Sequence, residues 1–520
     1  MAPKYGRSVE CEVPEGATCS KGTHRMESMT RLALCQTAFL YFACLLPSIA
    51  FGALNDDNTG GKISVRKVVF AQGAGGIFFA LFGGQPMIIL LTTAPLAIYI
   101  KVIHDIAEDL HYDFYAMYAC VGIFCSLFLI LYAATEMCSL MKFATRSTEE
   151  TFSLFISIAF TVASITALCK SFRNNYHFCD EENAIQNGSN NITQELEQTC
   201  RPETSILHLL LMLGTLLFGL YLYNFRKTPF LTRFLRELSA DYALPAAVLI
   251  MTFAGSYLFI EVQKDQFQLR NELPLVDVAP VFSLPWQAYF VCLLLGFSLS
   301  FLYYMDQNVT SAIVSNPQNK LKKGQTQNLD LFVVAILNIV LSLLGLPWMH
   351  GALPHSPLHV RAQADVEERG AQGLVYEVIT HVRETRLPPL FSHILILVSS
   401  FFLIEYLRSI PTSVLYGLFL YMALTSLSGN EMFERLQLLV TEQQAYPPTH
   451  YIRRVPQRTV HAFTACQLLQ LLILCAFGFA SYPFVEMAFP IVCFLFIPIR
   501  HALIPRLIDY KYLDALDGCH

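Results

Sequence analysis

Residues 345–357 read Gly345-Leu346-Pro347-Trp348-Met349-His350-Gly351-Ala352-Leu353-Pro354-His355-Ser356-Pro357. An earlier stretch has the same grammar: Gly83-Gly84-Gln85-Pro86 leads through Leu91-Thr92-Thr93-Ala94-Pro95 into an apolar run. Each carries two prolines about ten residues apart, with glycine before the first. Proline lacks a backbone donor and turns the preceding residue away from helix. Such breaks at membrane depth are tolerated only where the backbone lines a cavity or is buried in protein. Interrupted segments at matching places in two halves of a chain point to a transporter site. The competing reading is two unrelated proline kinks.

Both stretches sit in a chain built for a bilayer. Of its 520 residues 54% are hydrophobic, 13% aromatic and 14% charged, against about 25% charged in ordinary soluble domains. Mean hydropathy is +0.45. This composition argues against a soluble enzyme or a disordered chain, and a net charge of −5 leaves no basic footprint for nucleic acid. Fifteen cysteines are too few for a disulfide scaffold, and most lie in apolar runs. Apolar segments lie at about 32–54, 66–83, 86–103, 114–137, 148–170, 205–225 and 242–262, and again at about 282–306, 329–347, 354–363, 390–408, 410–427, 462–482 and 484–505. The reading is an all-α polytopic membrane protein of fourteen segments in two sets, 32–262 and 282–508, between a polar segment 1–31 and a tail 509–520. The first apolar run is too long for the core of a signal peptide.

Loop charge sets the orientation. Loops on the side of the termini hold Lys142, Arg146, Arg226, Lys227, Lys320, Lys322, Lys323, the segment Arg361 to Arg386, and Arg453, Arg454 and Arg458. The opposite loops are poorer in Lys and Arg, so both termini are expected to be cytoplasmic. The loop 172–204 is then extracellular, in agreement with its glycosylation sequons at Asn187 and Asn191. Cys179 and Cys200 in the same loop are either a disulfide or two free thiols. The sequon at Asn308 falls on the cytoplasmic side and is not expected to be modified.

Ionisable residues inside the segments are few, and each needs a reason to be there. Asp306 closes the apolar run Val291 to Met305. It is either an interfacial residue facing water or a carboxyl that gates alternating access by being charged in one state and neutral in another. His355 opens the broken segment, where it is either structural or a group that exchanges protons or helps a helix N-terminus hold an anion. His350 and His359 flank it across two prolines, a weak metal-binding spacing. Thr92 and Thr93 hold the matching place in the first half, to bond an oxyanion or cap the helix. The segment Thr449 to Pro456 reads as a solvated connector or a headgroup contact. No nucleotide-binding loop, metalloprotease motif or hydrolase elbow is present, and no enzyme activity, metal or cofactor is expected.

The chain resembles the solute carrier family 4 bicarbonate and borate transporters. The resemblance runs from about Phe39 to the C-terminus. It is carried by Phe39-Leu-Tyr-Phe-Ala-Cys-Leu-Leu-Pro47, Phe79-Ala-Leu-Phe-Gly-Gly-Gln-Pro86, Ser147-Thr-Glu-Glu150, Asn316-Pro317, Gly345-Leu-Pro-Trp348, Val414-Leu-Tyr-Gly-Leu-Phe-Leu-Tyr421 and Tyr451-Ile-Arg-Arg-Val455. Leu353-Pro-His-Ser-Pro-Leu-His-Val-Arg361 is similar to the borate-transporter branch. The resemblance implies two inverted seven-segment repeats, core and gate domains, two half-helices meeting at the substrate site, and homodimers in the plasma membrane. It places Asp306 at the family's transport carboxylate, usually Glu, and His355 where red-cell-type anion exchangers carry an anion-binding Arg. Thr93 and Ala94 fall at the other half-helix start, across from His355 and Ser356.

These readings converge on a secondary transporter of H⁺ or OH⁻ equivalents, linked to ammonia, or of borate with a coupling ion. A sodium-coupled bicarbonate cotransporter or an anion exchanger is the alternative, and an adhesion scaffold using the glycosylated loop is the reading from a different class. The expected partners are inorganic ions, the lipid bilayer and a second copy of the chain.

Overall fold

The computed structural model describes residues 20–143, 146–177, 201–267, 274–324, 326–353, 355–371, 374–427, 430–443, 446, 450–480 and 482–517. The sequons at Asn187 and Asn191 and the cysteines Cys179 and Cys200 lie outside these residues.

The first half contains α1 (Ser20–Asn58), α2 (Val65–Phe82), the two-residue strand β1 (Leu90–Leu91), α3 (Ala94–Asp109), α4 (Phe114–Ala134), α5 (Arg146–Phe172), α6 (Pro202–Asn224), α7 (Arg233–Asp241) and α8 (Ala243–Phe253). The second contains α9 (Trp286–Val314), α10 (Gln327–Leu343), β2 (His350–Gly351), α11 (His355–Ala362), the strands β3 (Ala364–Ala371) and β4 (Leu374–Val382), α12 (Leu387–Phe402), α13 (Thr412–Leu427), α14 (Glu431–Leu438), α15 (Gln457–Gly478) and α16 (Phe489–Ala502). Among the described residues, eight helices are long and apolar enough to cross a bilayer, or up to ten if each bent pair counts as one span. The bends are 65° after Asp241 and 79° after Leu427. Two shorter apolar helices, α10 and α12, and the two helices behind the short strands complete the set.

Proline and capping chemistry place the ends. Thr93, in extended conformation, precedes α3, and Pro95 sits in the first helical turn, where its missing donor costs nothing. Asp113 caps α4 by accepting from Ala116 N at 2.9 Å. Between Gly83 and Thr93, and again between Gly345 and Pro354, the helix gives way to extended chain, as the paired prolines predicted.

Two features depart from the sequence reading. α9 does not stop at Asp306 but runs on to Val314, so Asp306 is inside a helix and 4% exposed. The polar residues Gln307, Asn308, Thr310 and Ser311 continue that helix, each buried within the protein. Asn308 is among them, fully buried and bonded to Tyr304 O. The chain is also not wholly α. The expected loop between Arg361 and Arg386 folds as the antiparallel hairpin β3–β4, paired from Ala364↔Val382 to Ala371↔Leu374. The run Val375-Tyr376-Glu377-Val378-Ile379-Thr380 has the β-branched and aromatic content that favours it.

α4 packs on α9 and α10, α2 on α12 and α1, and α5 and α6 on α13. Small residues allow the closest approaches. A Cβ on Gly296 of α9 would stand 2.9 Å from Val121 O and 2.9 Å from Cys125 N of α4. Tyr118 stacks on Trp348 at 4.0 Å, and the Trp348 indole N–H donates to Ser342 Oγ at 2.7 Å.

One charged cluster is buried. Arg435, fully buried, reaches Glu150 at 2.6 Å, Glu431 at 3.2 Å and Gln467 at 3.0 Å. Arg146 closes the ring to Glu150 at 3.2 Å and Glu431 at 2.8 Å. Asp517 accepts from Ser147 N and pairs with Arg500. Tyr451, from the segment read as a connector, is also buried, with the Arg435 guanidinium 5.9 Å from its ring centroid.

Because two of the three tight contacts at Gly296 are to backbone and the third is to the Phe124 Cβ, none of which can swing aside, the substitution Gly296→Ala is expected to cost about 1–3 kcal/mol. A clear drop in the melting temperature of the detergent-purified protein checks this; an unchanged melt would mean that α4 and α9 can separate freely.

Candidate functional site

The two broken segments meet each other. β1 pairs antiparallel with β2, Leu90 against Gly351 and Leu91 against His350, and Ala352 N donates to Ile89 O at 2.9 Å. This short ladder satisfies backbone groups that no helix serves. Side chains satisfy the rest. Gly351 N donates to Gln307 Oε1 at 2.7 Å, and Gly351 O accepts from Thr310 Oγ1 at 3.1 Å. Asn338 bonds both Met349 N and Met349 O, at 3.0 and 2.8 Å. Thr92 Oγ1 donates to Trp348 O at 2.9 Å. Gln307 and Thr310 on α9 and Asn338 on α10 therefore hold the crossing in place.

α3 and α11 start just beyond the crossing and direct the positive ends of their backbone dipoles toward it. A small cavity of about 20 Å³ lies there. Its walls include Thr93, Asp306, His350, Gly351 and His355 on one side and Phe51, Ile156, Phe160 and Met422 on the other. No Lys or Arg is among the residues that line it.

His350 is the residue that joins the site together. Its Nε2 is 2.9 Å from Asp306 Oδ2 and 2.9 Å from Thr93 Oγ1, and its Nδ1 is 3.0 Å from Gly351 O. The carbonyl is only an acceptor, so Nδ1 carries a proton. A ring nitrogen and a carboxylate oxygen this close repel unless a proton belongs to one of them. Asp306 Oδ2 has no aligned hydrogen-bond donor among the described residues, so the contact is an electrostatic one between a carboxyl and an imidazole that are both buried, 5% and 1% exposed.

The candidate residues fall into two groups. Asp306, His355 and Thr93 line the cavity. Ser356 and Ala94 do not. The Ser356 hydroxyl accepts from Ile89 N at 3.0 Å and reaches Ala352 O at 3.0 Å, tying α11 to the strand crossing, and Ala94 is buried in the first turn of α3. Thr93 neither caps its helix nor stands free, since its hydroxyl is held by His350. The sequence reading weighed His350 only as a weak metal ligand. Its place between the two prolines was the available signal, but its partner lies on another helix. No group of three or more His, Cys, Asp or Glu side chains placed to hold a metal occurs among the described residues.

Interrupted segments meeting at a buried, protonatable carboxylate define a multi-pass membrane transporter. The family model for the HCO3⁻ transporter integral membrane domain matches residues 25–198 and 174–520, and the chain belongs to that family, solute carrier family 4. It is 47% identical over 513 residues to mouse solute carrier family 4 member 11, covering 93% of this chain and 60% of that one. To the human band 3 anion transport protein it is 30% identical over 507 residues, covering 93% and 53%. The chain thus spans about half to three-fifths of the length of these curated relatives. The transmembrane domain of the cyanobacterial bicarbonate transporter BicA shares the fold, with a TM-score of 0.56 at 17% identity over 85% of this chain and 96% of that one. So does the murine anion transporter Slc26a9 in its inward-facing state, with a TM-score of 0.56 at 13% identity over 96% and 77%.

Replacing Asn338 by Leu removes the partners of two buried backbone groups of Met349, each worth about 1–3 kcal/mol when left unpaired. Asn338→Leu is expected to lower the melting temperature and the transport rate together. A variant that melts early yet transports normally would separate the strand crossing from function.

Proposed function

We propose that this chain moves H⁺ or OH⁻ equivalents across the plasma membrane. Membership in a family of membrane anion and bicarbonate transporters is the starting point. The observation that carries the finer reading is the Asp306–His350 contact, a buried carboxyl and imidazole 2.9 Å apart beside two helix starts. A permanent cation would favour a permanent anion, and the cavity lining has none. A titratable acid and titratable imidazoles suit a cargo whose charge is itself a proton gained or lost. Asp306 cycles between charged and neutral, His350 takes or returns its proton, Thr93 orients the ring, and His355 faces the same space. Movement linked to ammonia, or carriage of borate with a coupling ion, uses the same pair.

In this reading the fourteen apolar stretches are two inverted repeats, 32–262 and 282–508. The helices around the strand crossing form a core that shifts against a gate containing α5, α6 and α13. Both termini face the cytoplasm, loop 172–204 carries glycans at Asn187 and Asn191 and a Cys179–Cys200 bond, and two copies associate. The second reading, a bicarbonate or chloride carrier, draws on the anion and bicarbonate transporters among the relatives and on a protonated His350 as an anion seat.

In proteoliposomes with a trapped pH dye, Asp306→Asn is expected to reduce the flux driven by a pH gradient about a hundredfold, in line with the loss of a positioned proton carrier. Wild-type flux in this variant would remove the carboxyl from the mechanism. His355→Arg places a fixed cation in the cavity and is expected to raise chloride or bicarbonate flux. Unchanged selectivity would show that the second imidazole does not read the cargo.

A further inference from the structure

α11, α12 and α2 bury polar side chains that the central site does not use. His359, one turn beyond His355 on α11, is 0% exposed, and neither of its ring nitrogens has a partner. His393 on α12, 1% exposed, is an electrostatic neighbour of His359. Its Nδ1 donates to Pro389 O at 2.6 Å, and its Nε2 accepts from the Gln72 amide at 3.2 Å. Gln72 also donates to Leu90 O at 2.7 Å, while its own Oε1 is unpartnered. His355 Nδ1 is unpartnered as well. Buried polar atoms without partners are rare and call for a cause such as internal water.

His393 also lines a second, water-sized cavity, of about 10 Å³, with Gly76, Phe79, Pro86 and Leu90. This cavity lies behind the strand crossing, toward the Phe82 end of α2, which loop charge assigns to the cytoplasm. Room for the imidazole exists only because residue 76 has no side chain, since a Cβ there would stand 1.8 Å from His393 Cδ2.

We propose that His355, His359 and His393 form a proton path, bridged by water, from the central cavity through the second cavity to the cytoplasmic side. The path rests on the proton-moving reading above and gives the moved proton its route from the central cavity to the cytoplasmic side. His359 takes a proton on one nitrogen and releases one from the other, returning to neutral with its tautomer reversed. His393 takes the proton on Nε2, becomes an imidazolium, and returns it from Nε2 to water in the second cavity. Gln72 Oε1 is the acceptor available to the charged ring. No other bond changes. The charged and titratable groups around the row are Asp306 and His350 at its central end and Arg386 and Asp330 at the other. Arg386 is occupied by the carbonyls of Ala80, Leu81 and Gly83, and Asp330 by the amides of Gly84 and Gln85. From α1, Gln36 donates to Ala362 O at the end of α11.

The test is proton flux in oriented proteoliposomes for wild type, His359→Gln, His393→Gln and Gly76→Ala, with melting temperature as the folding control. Glutamine keeps hydrogen bonding but cannot carry the proton. Both histidine variants are expected to lose flux about a hundredfold. Residual flux should lose its dependence on pH at the cytoplasmic face and keep its dependence on pH at the other face. Gly76→Ala, which displaces the His393 ring, should behave in the same way. Wild-type rates and pH profiles in the histidine variants, alongside a dead Asp306→Asn, would overturn the path and leave the function standing. Loss of flux with a lowered melt and an unaltered profile would assign these residues to packing and also overturn it. Absence of proton flux in the wild type would overturn the function reading, and the path with it.

Discussion

Backbone groups inside a bilayer have no water to bond, and this single constraint organises the molecule. Two segments broken by proline at membrane depth each expose N–H and C=O groups that no helix satisfies. They pair with one another through the crossing at Leu90–Leu91 and His350–Gly351, and further groups are met by side chains that include Gln307, Thr310, Asn338, Thr92, Ser356, Gln72 and Asp330. Once the crossing is fixed, α3 and α11 must begin beside it, and His350 must lie against the face of α9 that carries Asp306. The protonatable pair follows from a backbone requirement. The polar residues that extend α9 past Asp306 follow from it too, because they serve the crossing.

The sequence made the breaks legible because proline and glycine act locally. The two broken stretches and the ionisable Asp306 at the end of its apolar run could be read from residues adjacent in the chain. His350 could not be read in the same way. Its role depends on a contact with another helix, and in isolation it resembles any histidine in an apolar setting. Gln307 and Asn338 were hidden for the same reason. Ser356 also depends on a distant partner: beside His355 in the chain, its hydroxyl bonds Ile89 N as well as Ala352 O. The β3–β4 hairpin was concealed by its polar loop context, although its β-branched run carries the local signal.

Glycine has a distinct use here. At Gly296 it lets two helices approach until their backbones touch, and at Gly76 it makes space for an imidazole inside the packed core. The first is a packing device common in membranes. The second spends core volume on a polar ring, which an apolar side chain would fill at lower cost.

The Arg435 cluster binds α5, α14 and α15 through one guanidinium, and Asp517 adds the last described helix by gripping Ser147 and Arg500. Splitting a buried ion pair leaves a naked charge, at about 3–5 kcal/mol. These elements therefore travel as a block, and any relative motion must occur elsewhere. Because the guanidinium is shut away from solvent, mobile counterions cannot weaken its hold. The hold of this buried guanidinium is accordingly little affected by the ionic strength of the surroundings.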